Sequence, residues 1–239
     1  MPLPGLADLT RRARDLLYPL RCVGCGAFDT PLCPACEQRL IPANGPGRCA
    51  FCSAAWDEPT NCPRCFHLRD LAGIRAAFEH TGPARQLVLR LKYQRYRDLA
   101  PRMSADLAPV AAALPVDAWL PVPLHRSRQR ERGFNQAELL LRAAGLPRAP
   151  AALLRTRNTG RQARRSFRER TQALDGAFRV DGPRLDGLTV GLVDDVITSG
   201  ATVRECARVL RDHGARAVWA LAFTRASYDP GRPDDPLDA

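Results

Sequence analysis

The sequence predicts an α/β domain built on a mainly parallel sheet, preceded by a small cysteine-rich module. Three observations carry that expectation. Four C-x-x-C pairs fall between residues 22 and 65, short apolar runs alternate with helical periods after residue 70, and a buried strand near residue 190 leads through two acids and a hydroxyl-rich loop into a helix. A chain of 239 residues suits one medium domain with an accessory module. Its 45% apolar and 26% charged residues exclude disordered, collagen-like and coiled-coil classes.

Taken in order, residues 1–20 place Leu6, Leu9, Ala13, Leu16 and Leu17 at helical spacing until Pro19, which predicts a short amphipathic helix. It has no apolar export core. The longest apolar stretch, residues 107–124, is broken by prolines and Asp117, so no membrane insertion and a cytoplasmic location are expected.

Residues 21–70 hold Cys22/Cys25, Cys33/Cys36, Cys49/Cys52 and Cys62/Cys65. A C-x-x-C knuckle turns two thiolates onto one metal ion, and two knuckles complete a tetrahedron. Two structural zinc ions in closed sites are therefore expected. Sequential pairing of the knuckles is simplest, and an interleaved pairing fits the spacing as well. A disulfide framework belongs to secreted chains, for which no signal is seen. His67, next to the last knuckle, is read as a linker residue.

Residues 71–226 form the second unit. Strands are predicted over 74–80, 118–122, 178–180, 188–193 and 217–223, and helices over 83–96, 97–113, 133–144 and 200–213. Residues 156–172 are polar and arginine-rich and read as a long mobile loop. The acidic, proline-rich residues 227–239 read as a disordered tail. Cys206 shares a helix face with Val203, Ala207 and Leu210 and reads as a small core residue, while His213 ahead of Gly214 reads as a helix end. Lys92 reads as a surface residue.

Net charge is +11, and residues 126–170 concentrate it, with thirteen arginines against three glutamates. Such a segment points to an anionic partner: phosphate, pyrophosphate or nucleic acid.

The chemistry is carried by residues 190–203. Asp194 and Asp195 end a buried strand, Thr198, Ser199 and Gly200 form a short loop, and Ala201 and Thr202 open a helix. Free N–H groups and the dipole at a helix start favour phosphate. Two carboxylates just before that loop suit the 2′- and 3′-hydroxyls of a ribose 5-phosphate. This stretch closely resembles the 5-phosphoribosyl 1-pyrophosphate (PRPP) signature of type I phosphoribosyltransferases. Gly191 departs from the usual aliphatic residue, which is expected to weaken the strand slightly.

Further blocks resemble the ComF family, proteins associated with DNA uptake in natural competence. They are the Leu-Leu-Tyr-Pro lead into the first knuckle, Leu91-Lys-Tyr93, Leu120-Pro-Val-Pro-Leu-His125, Arg130-Glu-Arg-Gly-Phe-Asn-Gln-Ala137, residues 162–170 and Gly176-Ala-Phe178. The resemblance implies a type I phosphoribosyltransferase-like domain over 71–226 behind a double zinc-ribbon module over 21–70. It implies PRPP with Mg²⁺ as ligand, Asp194 and Asp195 as catalytic residues, and residues 198–202 around the phosphate. Arg126 and Arg128, in the loop after a strand closing on Pro123, and Arg132, opening the next helix with Asn135 and Gln136, would hold the pyrophosphate. Residues 157–170 would form a hood over the ligand. Pentosyl transfer from PRPP to an unidentified base is the activity implied. A non-catalytic factor that binds single-stranded DNA or meets DNA-uptake proteins is the alternative.

Overall fold

The computed structural model describes residues 21–58, 62, 65, 67–93, 96–157 and 174–226. The helix expected within 1–20, the loop and hood expected over 156–172 apart from its first two residues, and the tail 227–239 lie outside the described residues.

The described elements are α1 (Pro34–Glu37), β1 (Gly73–Glu79), α2 (Gly82–Leu91), α3 (Leu99–Ala112), β2 (Ala118–Pro121), α4 (Arg126–Arg132) and α5 (Gln136–Ala143). They continue with β3 (Ala152–Arg155), β4 (Phe178–Asp181), β5 (Thr189–Ile197), α6 (Ala201–Asp212) and β6 (Ala217–Arg225). The main sheet runs β1-β6-β5-β2 with every pairing parallel. All four strands therefore end on one edge, where open α/β sheets place ligands. The strands are apolar on both faces because both faces are covered. One face carries α6, the β3–β4 hairpin and Cys49, Cys52 and Cys62 in one core. The other carries α2, α3 and α5 together with Cys22 and Cys36. Each cysteine cluster is thus part of a core of the sheet. The outer edge of β1 is covered by the cysteine-rich segment, with Ala43 N–H bonded to Ala77 O at 3.0 Å and Ile74 N–H to Phe51 O at 2.7 Å.

Gly191 has a packing reason. Trp119 pairs with Gly191, Gly191 with Trp219, and Trp219 with Gly73, so one row across the sheet alternates tryptophan and glycine. A Cβ on Gly191 would lie 2.2 Å from the Trp119 ring, and one on Gly73 would lie 2.5 Å from the Trp219 ring. The glycine admits a buried indole rather than weakening the strand.

Three further expectations change. Arg126 and Arg128 sit in a helix, α4, rather than a loop; His125 Nδ1 caps it by accepting the Ser127 N–H at 3.2 Å, and Gly133 ends it with φ 76°. The helix expected over 133–144 begins only at Gln136, with Asn135 as its cap, so Arg132 closes α4 instead of opening α5. β5 runs to Ile197, so Asp194 and Asp195 lie inside the strand, and Asp194 pairs with Ala222. The short strand β3 pairs antiparallel with β4 and has no counterpart among the sequence expectations.

A valine at position 191 tests the tryptophan–glycine row. Gly191→Val is expected to lower stability by about 1–3 kcal/mol, read as a lower urea midpoint with the denaturant slope unchanged. An unchanged midpoint would contradict the packing account.

Candidate functional site

β5 delivers the two acids to the C-terminal edge. Asp194 Oδ1 accepts the Asp195 N–H at 2.8 Å. Burial pushes the Asp194 carboxyl well above the ordinary range and the Asp195 charge pushes it further, against the Asp195 N–H and the Lys92 charge. Asp195 is buried and Asp194 half-buried. Two acids so placed favour a proton, a cation or hydroxyl donors between them over two bare charges. Lys92, just past the end of α2, is part of this electrostatic group.

The loop between β5 and α6 is only Thr198, Ser199 and Gly200. Gly200 adopts φ 80°, and a Cβ there would lie 2.8 Å from Leu68. Both the conformation and the close approach require glycine. Ser199 Oγ accepts the Ala201 N–H at 3.4 Å, while Ala201 and Thr202 form the first turn of the twelve-residue helix α6. Ser199, Gly200 and Ala201 are buried and Thr198 and Thr202 half-buried.

A cleft of about 440 Å³ opens between the end of β2, α4 and the β3–β4 hairpin. Arg126, Arg155 and Arg179 line it with His125 and Asn135 over a wall of prolines and leucines. Asn135 Nδ2 donates to Val122 O at 2.9 Å and ties α5 to the strand end. Val122, between the cleft residues Pro121 and Pro123, donates its N–H to Val193 O at 2.9 Å, so the cleft adjoins the strand end that carries the acids. Arg132 is half-buried, donates to Gln136 Oε1 at 3.2 Å and feels the Asp195 charge. Arg128 is half-buried and acts electrostatically on both Arg132 and Arg155. Sequence reasoning missed Arg155 and Arg179; the available signal was a short apolar run, Leu153–Leu154, which the fold sets opposite Val180 and Arg179.

The neck of the segment 158–173 is closed. Thr156 N–H bonds Ala177 O at 2.8 Å, and Arg157 donates to the Asp175 carbonyl. Buried Glu205 of α6 accepts the Gly176 N–H at 2.9 Å and is clamped by Arg208. Burial would raise the Glu205 carboxyl, but Arg208 and the Gly176 N–H bring it below its ordinary value. The helix that starts at the loop therefore also holds the base of this segment.

The eight knuckle cysteines gather sequentially, Cys22, Cys25, Cys33 and Cys36 in one group and Cys49, Cys52, Cys62 and Cys65 in the other. Within the groups, Cys25–Cys33, Cys49–Cys65, Cys62–Cys65 and Cys52–Cys62 sulfurs lie 3.6, 3.5, 3.7 and 3.8 Å apart. A tetrahedron with Zn–S bonds of about 2.3 Å has S···S edges of about 3.8 Å, whereas a disulfide needs about 2.05 Å. Burial would raise the Cys22 thiol, but the N–H groups of Cys33, Cys25 and Gly24 bring it down to about 6. Cys49 falls to about 6 in the same way through Cys52, Cys62 and Phe51. Burial and neighbouring thiols push Cys36 up to about 12. Backbone donors thus stabilise one thiolate in each group. Both donor sets fit zinc. His67 instead lies against the Ser199 carbonyl.

Cys206 is fully buried in the core, as expected, and burial pushes its thiol well up. His213 forms the end of α6, its N–H on Val209 O at 3.1 Å and its Nε2 2.9 Å from Pro183 O. Phe134 is buried beneath the Arg97 guanidinium, 5.0 Å away, and offers no stacking face. At the end of β1, buried His80 places Nδ1 2.8 Å from Thr224 Oγ1, which donates to the Asp195 carbonyl at 3.3 Å. Burial pushes His80 down to about 4, against the Asp195 charge.

No protein-family model matches the chain. It is 30% identical over 241 residues to the DNA utilization protein YhgH of Salmonella typhi, covering 94% of this chain and 99% of that one. It is 31% identical over 212 residues to competence protein F of Haemophilus influenzae, covering 84% and 89%. It is 26% identical over 229 residues to competence protein ComFC of Bacillus subtilis, covering 91% and 89%. Among solved structures, the phosphoribosylpyrophosphate synthetase of Mycobacterium smegmatis superimposes with a TM-score of 0.34 at 21% identity, over 59% of this chain and 41% of that one. The UMP synthase of Leishmania donovani gives 0.32 at 18%, over 56% and 24%. Likeness at that level carries no argument. Among the described residues no helix is long and apolar enough to cross a membrane.

His80 sets a pH dependence. A histidine held near 4 when folded and near 6.5 when unfolded stabilises fully above pH 6.5, and that stability is lost as pH falls toward 4. Between pH 7.5 and 5.5 the loss is about 1 kcal/mol. The urea midpoint of His80→Gln is expected to fall less over this range than that of the parent chain. Parallel curves would contradict the assignment.

Proposed function

The chain belongs to the ComF family, and on that footing we propose that it binds PRPP, or another ribose 5-phosphate ligand, in a competence role. The observation that carries the reading is the acid pair of β5 standing one short glycine loop ahead of a helix start, beside an arginine-lined cleft. In this reading the 5-phosphate lies on the N–H groups and hydroxyls of residues 198–202. Asp194 and Asp195 accept the ribose 2′- and 3′-hydroxyls as carboxylates, and those donors would offset the burial that pushes Asp194 up. Arg126, joined by Arg155 and Arg179 of the hairpin, faces the pyrophosphate, since guanidinium forks match phosphate oxygens. Arg128 and Arg132, half-buried beside them, contribute field from behind.

If the chain turns PRPP over, the bond broken is ribose C1–O to pyrophosphate and the bond formed is C1 to the acceptor. Mg²⁺ bound with the ligand would neutralise the leaving charge. The protein's task is to orient the ribose, stabilise developing charge at C1 through the acids, and exclude water. Thr198 stands where 6-oxopurine enzymes carry an aspartate that acts on the base, so that acid/base role is absent here. Two structural zinc ions, one in each cysteine group, belong to the same proposal. A second reading, single-stranded DNA as ligand of the same basic face, is favoured by the relatives named for competence and DNA utilization.

Millimolar Mg-PRPP is expected to raise the melting temperature by about 5 °C or more and the Asp194→Ala/Asp195→Ala chain to show no shift. Pyrophosphate release with a panel of bases tests turnover. A wild-type chain that PRPP does not stabilise would overturn the reading.

A further inference from the structure

A single buried side chain joins the second cysteine group to the loop before α6. Arg225, the last residue of β6, is 4% exposed. Its Nε donates to the Cys52 carbonyl at 3.0 Å, and its Nη1 donates to the carbonyls of Ile197 at 2.9 Å, of Ala226 at 3.3 Å and of Thr198. In a trans peptide the C=O of one residue and the N–H of the next point in opposite directions. Holding the Ile197 and Thr198 carbonyls inward therefore turns the N–H groups of Thr198 and Ser199 outward, toward the face that would receive a phosphate.

Two more contacts reach the same loop. Leu68 lies directly under Gly200, where a Cβ would approach it to 2.8 Å. His67 faces the Ser199 carbonyl. Both follow Cys65 by one tight turn, in which Leu68 N–H bonds the Cys65 carbonyl at 2.9 Å. The first cysteine group stands elsewhere, in the core on the opposite face with Leu87 and Leu91 of α2.

We infer that the second cysteine group, when it holds its metal, is a clamp on the phosphate loop, with Arg225 as the positioning residue that transmits the constraint. The clamp rests on the proposed phosphate role of that loop, but its mechanical part is independent of any ligand. Metal in the second group fixes the Cys52 peptide and the turn to Leu68. Arg225, Leu68 and His67 then hold the loop with its donors presented. Metal in the first group contributes to folding and leaves the loop unaffected.

Amide hydrogen exchange of the full zinc-loaded chain, without ligand, tests this. Peptides covering residues 197–204 are compared among the parent, Arg225→Lys, Cys65→Ser and Cys25→Ser, with zinc counted by native mass spectrometry. Arg225→Lys is expected to keep both zinc ions and to exchange about tenfold faster at the loop. Cys65→Ser should accelerate the loop similarly, and Cys25→Ser should leave it at the parent rate. A parent rate in Arg225→Lys, or equal acceleration in Cys25→Ser, would overturn the clamp. Should Arg225→Lys fail to fold, the Cys65→Ser and Cys25→Ser pair decides by the same criterion. PRPP stabilisation of the parent reports separately on the phosphate reading.

Discussion

The guanidinium of Arg225 reaches main-chain carbonyls from three separate stretches, Cys52, Ile197–Thr198 and Ala226, from a nearly solvent-free position. A buried cation must be satisfied by fixed dipoles, and the dipoles must stay where it needs them. That constraint couples parts of the chain that share no element: the second cysteine group, the end of β5, and the end of β6. The Asp194–Asp195 pair, the glycine loop and the start of α6 all follow within eight residues on the strand so fixed.

The same economy of position is repeated across the sheet. Four parallel strands bring their C-terminal ends to one edge, so β1 leads into His80, β6 supplies Thr224 and Arg225, β5 the acids, and β2 the approach to the arginine cleft. The alternation of Trp119, Gly191, Trp219 and Gly73 lets two indoles lie across the strands behind that edge. Glu205 extends the arrangement outward by holding Gly176 at the neck of the segment 158–173. One helix, α6, thus serves both the loop and that neck.

How legible these features were in the sequence follows from the range of the forces behind them. The cysteine pairs and the Asp-Asp, Thr-Ser-Gly succession could be read directly, because rare residue types at short spacing carry their own geometry. Sequential grouping of the cysteines could not be read, since spacing permits either pairing and only the tertiary path separates the groups to opposite faces of the sheet. The helix α4 escaped because its Arg-Ser-Arg-Gln-Arg-Glu-Arg run has no apolar period; His125 at one end and Gly133 at the other define it. Gly191 looked like a weakness because the ring it accommodates is Trp119, seventy-two residues earlier. Arg225 gave no local signal, its partners being carbonyls brought together only by the fold. The implied hood falls mostly outside the described residues.

As proposed, the C-terminal edge of the sheet is a ribose-phosphate site rather than a general surface for polyanions. A calorimetric titration of the zinc-loaded chain with Mg-PRPP, followed by a single-stranded oligonucleotide at two salt concentrations, addresses it directly. One saturable PRPP site per chain, lost without Mg²⁺, is expected, with oligonucleotide binding weakened by bound PRPP. Oligonucleotide binding that falls steeply with salt and is indifferent to PRPP, with no heat from PRPP itself, would contradict it.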